Sequence, residues 1–384
     1  MKCDDGRVTM TRRQFVEAAS MMGAVGLVEL SGCARPHDQA VLPAPPVASL
    51  REVGASRGIL AGCAIQIARL RDTPAYAQLV REQAGIVVEE NAFKFTQRLR
   101  PSPTEFFFGD TDYLVQFAEA NGMKVRGHNF VWHRSLPAWF DGYMTPANAE
   151  AVLVEHIERV GGRYAGRIHS WDVMNEAIRV EDGLPGGMRD TPWRKLLGDG
   201  YIDSAFRTAR RVDPKALLVY NDYGIEGEGD KPAAKREAVT ALLRGMQQRG
   251  VPVDALGVQS HLDAGRGDVY GPGLMAMLAE VRAMGLKVLL TEMDVNDKWL
   301  ASPIPARDAG VAEVYGNYLK TTLADPGVIA LLTWGITDRY TWLNGEASRS
   351  DKLPERDLPF DVQLQPKPAF FAELEALRGA PRRG

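Results

Sequence analysis

The stretch SWDVMNEAI, residues 170–178, is an apolar run that ends in two polar side chains, Asn175 and Glu176. Val173 and Met174 are typical of the interior of a buried strand. An amide and a carboxyl are costly to bury unless they find partners, so at the end of such a strand they must be exposed or paired. The stretch therefore predicts a strand that carries polar groups to a site at its C-terminal end.

Similar apolar runs recur along the chain from about residue 55 onward. They lie at 58–65, 85–91, 124–132, 168–176, 216–223, 255–261, 286–294 and 328–336. Between them, apolar residues recur at three- and four-residue spacing, which predicts amphipathic helices. The segment KPAFFAELEAL, residues 367–377, completes the alternation as an eighth helix.

Eight strand–helix units in succession predict an α/β fold, a (β/α)8 TIM barrel that forms a single catalytic domain over residues 50–384. A doubly wound open sheet is the alternative, and it requires a Gly-rich phosphate-binding turn after the first strand. The sequence GCAIQIARL, residues 62–70, contains no such turn. Cys63 in this stretch is predicted to be a small buried strand residue rather than a nucleophile.

The composition is that of an ordinary globular protein and excludes some partners. The chain has 384 residues, of which 45% are hydrophobic and 25% charged, with a formal net charge of −3. Because the balance is not basic and no Lys/Arg-rich tract occurs, we expect no nucleic-acid partner. No segment contains the roughly twenty consecutive apolar residues that a membrane-spanning helix requires.

The N-terminus has the features of an export signal. TRRQFV, residues 11–16, resembles a twin-arginine signal, and the apolar run after it ends in LSGC, residues 30–33, which resembles a bacterial lipobox. We therefore predict a signal over residues 1–33 that ends at a lipidated Cys33, followed by a Pro/Ala-rich linker over residues 34–49. The protein would be exported by the twin-arginine machinery and held to a bacterial membrane by lipid, in the periplasm or at the cell surface.

Polar or aromatic side chains stand at the ends of seven of the eight predicted strands. A single strand-end Glu is usually a helix cap or a surface charge, but a repeated pattern of this kind is hard to attribute to capping. In a (β/α)8 barrel the C-terminal strand ends meet at one face, so these side chains are expected to converge on one cleft. They are Glu90, Asn91, His128, Trp132, Asn175, Glu176, Asn221, Asp222, Tyr223, Gln259, His261, Glu292, Asp294 and Trp334.

Two of these carboxyls are placed for glycoside hydrolysis. Glu176 ends the fourth strand and Glu292 the seventh, on opposite sides of the barrel mouth. That reaction needs one carboxyl to protonate the leaving oxygen and another to attack or to activate water, with retention of configuration when they are about 5–5.5 Å apart. Aromatic residues at the mouth suit the apolar faces of sugar rings.

A metal site is the main chemical alternative, because His128 and His133 are close in sequence. Five residues apart on a strand, their side chains are expected to point to opposite faces. Neither HExxH nor CxxC occurs in the chain. We therefore predict catalysis without a metal and without another cofactor.

Seven longer motifs resemble one known family. They are EENAFK (89–94), RGHNFVWH (126–133), WDVMNEA (171–177), NDYG (221–224), GVQSHL (257–262), LLTEMDV (289–295) and TWGITDRYTW (333–342). On these motifs the chain, from about residue 55 to 378, resembles glycoside hydrolase family 10, the endo-β-1,4-xylanases. The resemblance implies a retaining, double-displacement hydrolysis of internal bonds in xylan or xylo-oligosaccharides, with Glu292 as nucleophile and Glu176 as acid/base.

The resemblance also implies roles for further residues. Glu90, Asn91 and Lys94 match residues that hold the sugars on the non-reducing side. His261 and Asp294 match a pair that orients and ionises the nucleophile, and Asp172 is assigned a supporting role. The remaining substrate-binding positions are His128, Trp132, Asn175, Tyr223, Gln259, Trp334 and Trp342.

Electrostatics is consistent with these roles. Hydrogen bonds from Asn175 and His261 are expected to favour the ionised form of Glu292, and the negative charge of Glu292 would keep Glu176 protonated. Phe95 stands where the family usually has Trp after the Lys of its first motif, which would keep a ring for stacking but lose the indole N–H.

Two other functions remain open on the sequence. A β-1,4-glucanase or cellobiosidase would need room in the cleft for the hydroxymethyl group at C5, which the sequence does not show. A non-catalytic glycan-binding lipoprotein on the same barrel would be favoured by the loss of either carboxyl, and both are present.

Overall fold

A computed structural model describes residues 48–346 and 349–383. Within them, eight parallel strands alternate with helices and close into a ring, which confirms the predicted (β/α)8 barrel. The barrel strands β1 to β8 are Leu60–Ile65, Ile86–Glu89, Lys124–Trp132, Ser170–Asn175, Leu217–Asp222, Ala255–Val258, Lys287–Asn296 and Val328–Thr333. The ring closes where β1 pairs with β8, with Leu60 opposite Ala330.

Helices lie between the strands and cover the outside of the ring. The α-helices α1 to α13 of the described residues are Leu50–Ser56, Ile67–Asp72, Pro74–Gln83, Gly109–Ala120, Phe140–Tyr143, Ala149–Arg163, Pro192–Leu197, Tyr201–Val212, Asp230–Gln248, Pro272–Ala283, Ile304–Thr322, Leu343–Glu346 and Pro368–Gly379. Short 3-10 helices occupy Val180–Asp182, Pro185–Gly187 and Asp338–Tyr340. None of these helices has both the length and the apolar character needed to cross a membrane.

Alternate residues of several strands pack into two separate apolar clusters. Ile86 and Val88 of β2 face the inside of the barrel, whereas Val87 between them faces the helices. This follows from the two-residue period of a strand and explains why the strands are apolar throughout rather than alternating. Cys63 is 1% exposed, as predicted for a buried strand residue.

The sixth predicted run, 255–261, is divided in the structure. β6 ends at Val258, and a separate three-residue strand, His261–Asp263, pairs with the end of β7. The break lies at Ser260, whose φ of 64° is left-handed and cannot continue a strand. The separate strand sets His261 opposite Asp294.

The first described helix follows the predicted linker directly. Ser49 caps α1, since its side chain accepts a hydrogen bond from the Glu52 amide and the Glu52 side chain accepts one from the Ser49 amide. The predicted signal, the lipidation site Cys33 and the linker up to residue 47 lie outside the described residues.

Candidate active site

One cleft lies at the C-terminal ends of the barrel strands and has a volume of about 1540 Å³. Both predicted catalytic carboxyls line it, and so do all eleven predicted substrate-binding residues. These eleven are Glu90, Asn91, Lys94, His128, Trp132, Asn175, Tyr223, Gln259, His261, Trp334 and Trp342. The two supporting residues, Asp172 and Asp294, are fully buried behind the cleft wall.

Glu292, on β7, is 4% exposed and surrounded by donors. Asn221 Nδ2 donates to its Oε1 at 2.7 Å, and His261 Nε2 lies 3.5 Å from its Oε2. Burial by itself would raise the pKa of Glu292, but His128, His261 and Arg126 outweigh it and hold that pKa well below the ordinary value. These neighbours therefore favour the ionised form of Glu292.

The partner of Asn175 differs from the prediction. Asn175 was expected to bond to Glu292, but its Nδ2 donates to Glu176 Oε1 at 3.0 Å. The amide bound to Glu292 belongs to Asn221, which also donates to Asn175 Oδ1 at 2.8 Å. The two carboxyls are thus joined through two amides, because the ends of β4 and β5 pair with Asn175 opposite Asn221.

Glu176 follows β4 directly and has a left-handed φ of 59°. Its amide donates to the Asn221 carbonyl at 2.8 Å, and its carbonyl accepts from Arg189 Nε at 2.7 Å. Burial, followed by the negative charges of Asp222 and Glu292, raises the pKa of its carboxyl, although the Trp132 indole and Gln259 Nε2, which donates to Oε1 at 3.1 Å, lower it. Glu176 thus holds a proton to higher pH than a free Glu.

A chain of contacts runs behind Glu292 from a tryptophan to the nucleophile. Trp342 Nε1 donates to Asp294 Oδ2 at 2.7 Å, and His261 Nδ1 lies 2.9 Å from Asp294 Oδ1. Burial opposes protonation of His261, but Asp294 and Glu292 outweigh it and raise its pKa well above the ordinary value. The structure thus brings His261 and Asp294 together next to the nucleophile, where a protonated imidazole would donate to both carboxylates.

A second set of contacts connects Asp172 to the cleft floor. The buried carboxylate of Asp172 bonds to Arg126 and to His128, whose Nδ1 lies 2.7 Å from Asp172 Oδ2. The Arg126 guanidinium also lies 3.6 Å from Glu292 Oε1. Burial lowers the pKa of His128, although Glu292 and Asp172 oppose this, whereas the pKa of His261 is raised.

Within the described residues, one group of side chains has the spacing of a metal site. It comprises His128, Asp172 and Glu292, whose possible ligand atoms lie within 4.8 Å of one another. Arg126 already contacts both carboxylates, so a cation there would meet a fixed positive charge. His133, expected on the opposite face from His128, also lines the cleft, because it follows the end of β3.

Glu90, Asn91 and Lys94 form one wall of the cleft. Gln66, which follows β1, donates to the Glu90 carboxyl at 3.1 Å, while burial raises the pKa of Glu90 to about 7. Lys94 Nζ lies 4.8 Å from the centre of the Trp132 ring, and its pKa is lowered by burial. Glu90, Asn91 and Lys94 therefore offer hydrogen-bond donors and acceptors to sugar hydroxyls, and the protonation of Glu90 and Lys94 can change with pH.

Phe95 does not line the cleft, and the expectation that its ring stacks on a sugar was wrong. It is fully buried among other rings, with centroid distances of 4.6 Å to His156, 5.5 Å to Trp193 and 5.6 Å to Trp139. The residue after Lys94 therefore belongs to the core beneath the cleft. Trp132 is the tryptophan nearer to Lys94, and its indole N–H acts on the Glu176 carboxyl, whose pKa it lowers.

Several residues of the site were not singled out by the sequence. Arg126 lies in the interior of β3. A charged side chain is unusual in the interior of a buried strand, and this was the signal by which the sequence could have pointed to Arg126. Asn221 was noted as a strand-end residue but was given no role. Gln66 directly follows β1, which ends at Ile65 and is the one strand for which no polar end was predicted.

Comparisons with known proteins agree with this geometry. A family model described as Glycosyl hydrolase family 10 matches residues 49–376. Endo-1,4-beta-xylanase B of Thermotoga neapolitana is 33% identical, with 80% of this chain and 85% of the relative covered. A thermostable celloxylanase of Thermoclostridium stercorarium is 32% identical, covering 79% and 81%. The crystal structure of xylanase 10B from Thermotoga petrophila RKU-1 with xylobiose superposes with a TM-score of 0.79, at 33% identity, over 87% of this chain and 98% of that one.

Proposed function

The chain belongs to glycosyl hydrolase family 10, and we propose that Glu292 and Glu176 are the two groups that carry out its retaining hydrolysis of β-1,4-xylosidic bonds. The protein is a glycoside hydrolase, an endo-1,4-β-xylanase acting on xylan and xylo-oligosaccharides. One observation carries the assignment of roles: two carboxyls in the same cleft have pKa values shifted in opposite directions. Such a pair suits one nucleophile and one acid, and argues against a non-catalytic glycan-binding lipoprotein.

In the first step Glu292 attacks the anomeric carbon as the glycosidic bond breaks. The bond from C1 to the Glu292 oxygen forms while the bond from C1 to the leaving oxygen is lost, and Glu176 gives its proton to that oxygen. Asn221 and Arg126 hold the attacking carboxylate in place, and the contacts with His261 keep it ionised. The product of this step is a glycosyl ester of Glu292.

In the second step the ester removes the negative charge of Glu292. That charge had helped to raise the pKa of Glu176, so the pKa of Glu176 falls and the residue becomes a base. Glu176 takes a proton from water, the resulting nucleophile attacks C1 from the face that the leaving group left, and Glu292 departs as a carboxylate. Two inversions give overall retention.

The cleft walls supply the groups that position the sugar. Trp334 lies beside His128 with a ring-centroid distance of 5.3 Å, and Trp342 lies beside His261 at the same distance. These rings offer flat apolar faces, while Lys94 and the indole N–H of Trp132 offer donors.

The nucleophile is tested with Glu292→Ala. Turnover of xylo-oligosaccharides should fall by at least about 10⁴-fold, because no covalent intermediate forms. Azide fits the space of the missing carboxylate and should restore cleavage of an activated aryl xyloside, with an inverted product visible by NMR. Glu355→Ala, which removes a buried carboxyl outside the cleft lining, is the control and should need no azide. Full activity of Glu292→Ala would refute the assignment.

The acid/base is tested with Glu176→Ala and two kinds of leaving group. Aryl xylosides with acidic phenols depart with little protonation, so the first step should be nearly unaffected for them. Natural xylo-oligosaccharides need the proton and should lose about 10²–10⁴-fold in kcat/KM. Equal losses on both substrates would mean that Glu176 is only structural.

A β-1,4-glucanase activity is a second candidate, since one relative at 32% identity is named a celloxylanase. The two activities differ in one substituent, the hydroxymethyl at C5. Cleavage of xylohexaose and cellohexaose, measured side by side, decides between them. We expect xylohexaose to be preferred by at least about tenfold, and equal rates would establish the mixed activity.

We also propose that the enzyme is exported folded and held to a membrane through Cys33. The support is the order of the sequence signals, from Arg12-Arg13 to LSGC, followed by a Pro-rich tether. Two or more acyl chains anchor a protein stably, whereas a single chain does so only marginally. Cys33→Ser should release active enzyme into a soluble fraction, and Arg12→Lys with Arg13→Lys should retain it in the cytoplasm. A native protein that is soluble and begins well before residue 33 would refute this proposal without affecting the enzyme assignment.

A further inference from the structure

The loops that follow β3 and β4 carry a group of arginines on one part of the cleft wall. Arg134, Arg179 and Arg189 all line the cleft, and His133 lines it between them. Arg189 is bound to the Glu176 carbonyl, whereas Arg134 and Arg179 make no ion pair or hydrogen bond with Glu176 or Glu292. A concentration of positive charge in a cleft for a neutral sugar backbone calls for an explanation.

Two of these arginines have no carboxylate partner among the described residues. Arg134 is exposed and has no carboxylate within 4.0 Å; its guanidinium carbon lies 5.8 Å from the centre of the Trp132 ring. Arg189 is 5% exposed and donates only to a carbonyl and to the Tyr223 hydroxyl, the latter at 3.2 Å. Arg189 makes no direct ion pair, although the nearby charges of Glu176 and Asp222 favour its charged form.

The acidic groups nearby do not cancel the charge. Arg179 lies 3.4 Å from Asp182, in an exposed pair that contributes little. Glu181 also lines the cleft. Together with Lys231 it lines a second small pocket as well, so a positive charge is close to it. The pKa of His133 reflects the excess of positive charge around it. Burial and then Arg189, Arg134 and Arg179 lower this pKa to about 4, whereas Asp182 raises it.

We propose that Arg134 and Arg179 form a subsite for the carboxylate of a uronic acid that branches from the xylan chain. The inference rests on the proposed function, since the branch is brought to the subsite by a backbone already bound in the cleft. Trp132 lies next to Arg134, so a sugar stacked near Trp132 would place a one-residue branch beside the guanidinium. Arginine binds carboxylates in a planar two-bond geometry, which gives selectivity for an acidic branch over a neutral one.

The experiment compares three substrates: a linear xylo-oligosaccharide, one branched with neutral arabinose and one branched with a uronic acid. The site variant is Arg134→Gln with Arg179→Gln. The matched control is Lys124→Gln with Lys287→Gln, which removes the same charge from exposed residues at the opposite ends of β3 and β7. kcat/KM is measured for each protein on each substrate at low and high salt.

The site variant should lose about tenfold in kcat/KM on the acidic branch and less than about twofold on the other two substrates. The control should be unchanged on all three, and salt should reduce the advantage of the wild type on the acidic substrate. An equal loss on all substrates, or none on the acidic one, overturns the subsite. Cleavage of the linear substrate by the wild type upholds the proposed function in either case, whereas its absence would overturn that function.

Discussion

Two glutamates of the same cleft differ in protonation because their immediate neighbours differ. Glu292 is surrounded by Arg126, His261 and the Asn221 amide, which all favour a carboxylate. Glu176 lies beside Asp222 and has no cation among its principal influences. The backbone of Glu176 is held in a left-handed conformation by hydrogen bonds at both its amide and its carbonyl. A strained residue held on both sides is typical of functional sites.

At the residue scale, Gln259→Ala should shift the pH profile of the enzyme. Gln259 donates to Glu176 and lowers its pKa, so removal of the amide should raise that pKa. Because Glu176 must be protonated in the first step, activity is lost as pH rises through its pKa. The alkaline limb of kcat/KM should therefore move to higher pH, with about a tenfold lower maximum because a cleft contact is lost.

The control for this prediction is Gln78→Ala, which removes an amide-to-carboxylate hydrogen bond on an exposed helix. Its pH profile should match that of the wild type. An alkaline limb that stays in place or moves to lower pH in Gln259→Ala would show that the amide does not act on the acid/base.

At the scale of elements, the segment after β2 joins the cleft to the core. Its first part presents Glu90, Asn91 and Lys94 to the cleft, and the next residue, Phe95, turns inward. The Phe95 ring packs against rings of α5, α6 and α7. Its centroid lies 6.3 Å from that of Phe140 and 5.5 Å from that of Trp193. Edge-to-face contacts of this kind fix the angle at which the segment leaves the strand.

Phe95→Ala should lower the free energy of unfolding by about 3–5 kcal/mol, because a fully buried ring is replaced by a cavity. Phe107→Ala is the matched control: Phe107 is 59% exposed, and its loss should change stability by less than about 0.5 kcal/mol. Urea unfolding measures both. A similar, small effect for the two variants would contradict the buried position of Phe95.

At the scale of the whole molecule, the last helix, α13, carries a buried acidic residue. Glu373 of α13 is 0% exposed, and neither carboxyl oxygen has a hydrogen-bond partner among the described residues. Burial raises its pKa to about 8, so the group is protonated in the folded protein at neutral pH. Burial raises the pKa of the Cys63 thiol, and Glu373 raises it further. The two groups therefore lie near each other, between α13 and β1.

The stability of the fold should therefore depend on pH through Glu373. Its folded pKa lies above the unfolded value near 4.5, so its contribution is fully present below that value and is lost as pH rises through about 8. Glu373→Gln cannot ionise, so relative to the wild type it should gain roughly 5 kcal/mol of stability between pH 4 and pH 9, about 1.4 kcal/mol for each pH unit between 4.5 and 8.

The control for this prediction is Glu375→Gln, an exposed residue of the same helix, which should not alter the pH dependence. Thermal unfolding at several pH values compares the three proteins. A wild-type curve that is flat between pH 5 and 9, or a Glu373→Gln curve with the same slope as the wild type, would show that the carboxyl is solvated.

The sequence by itself determined the alternation of elements and the position of the site. Strand interiors are recognisable locally, because eight runs such as IHSWDVMNE are largely apolar, and seven of them end in polar or aromatic groups. Parallel strands in a closed ring must bring their C-terminal ends to one face. Glu176 and Glu292 could therefore be assigned to one cleft from the sequence. The signal over residues 1–33 remains a prediction from the sequence.

Only the tertiary structure decided which groups pair. Asn221 rather than Asn175 bonds to Glu292, and Arg126 reaches the carbonyl of Thr291, 165 residues away. Phe95 turns into the core although its neighbour Lys94 lines the cleft. The physical reason is that sequence periodicity gives the face of a strand, whereas a hydrogen-bond partner or a burial depth depends on the register between strands and on helices packed from distant parts of the chain.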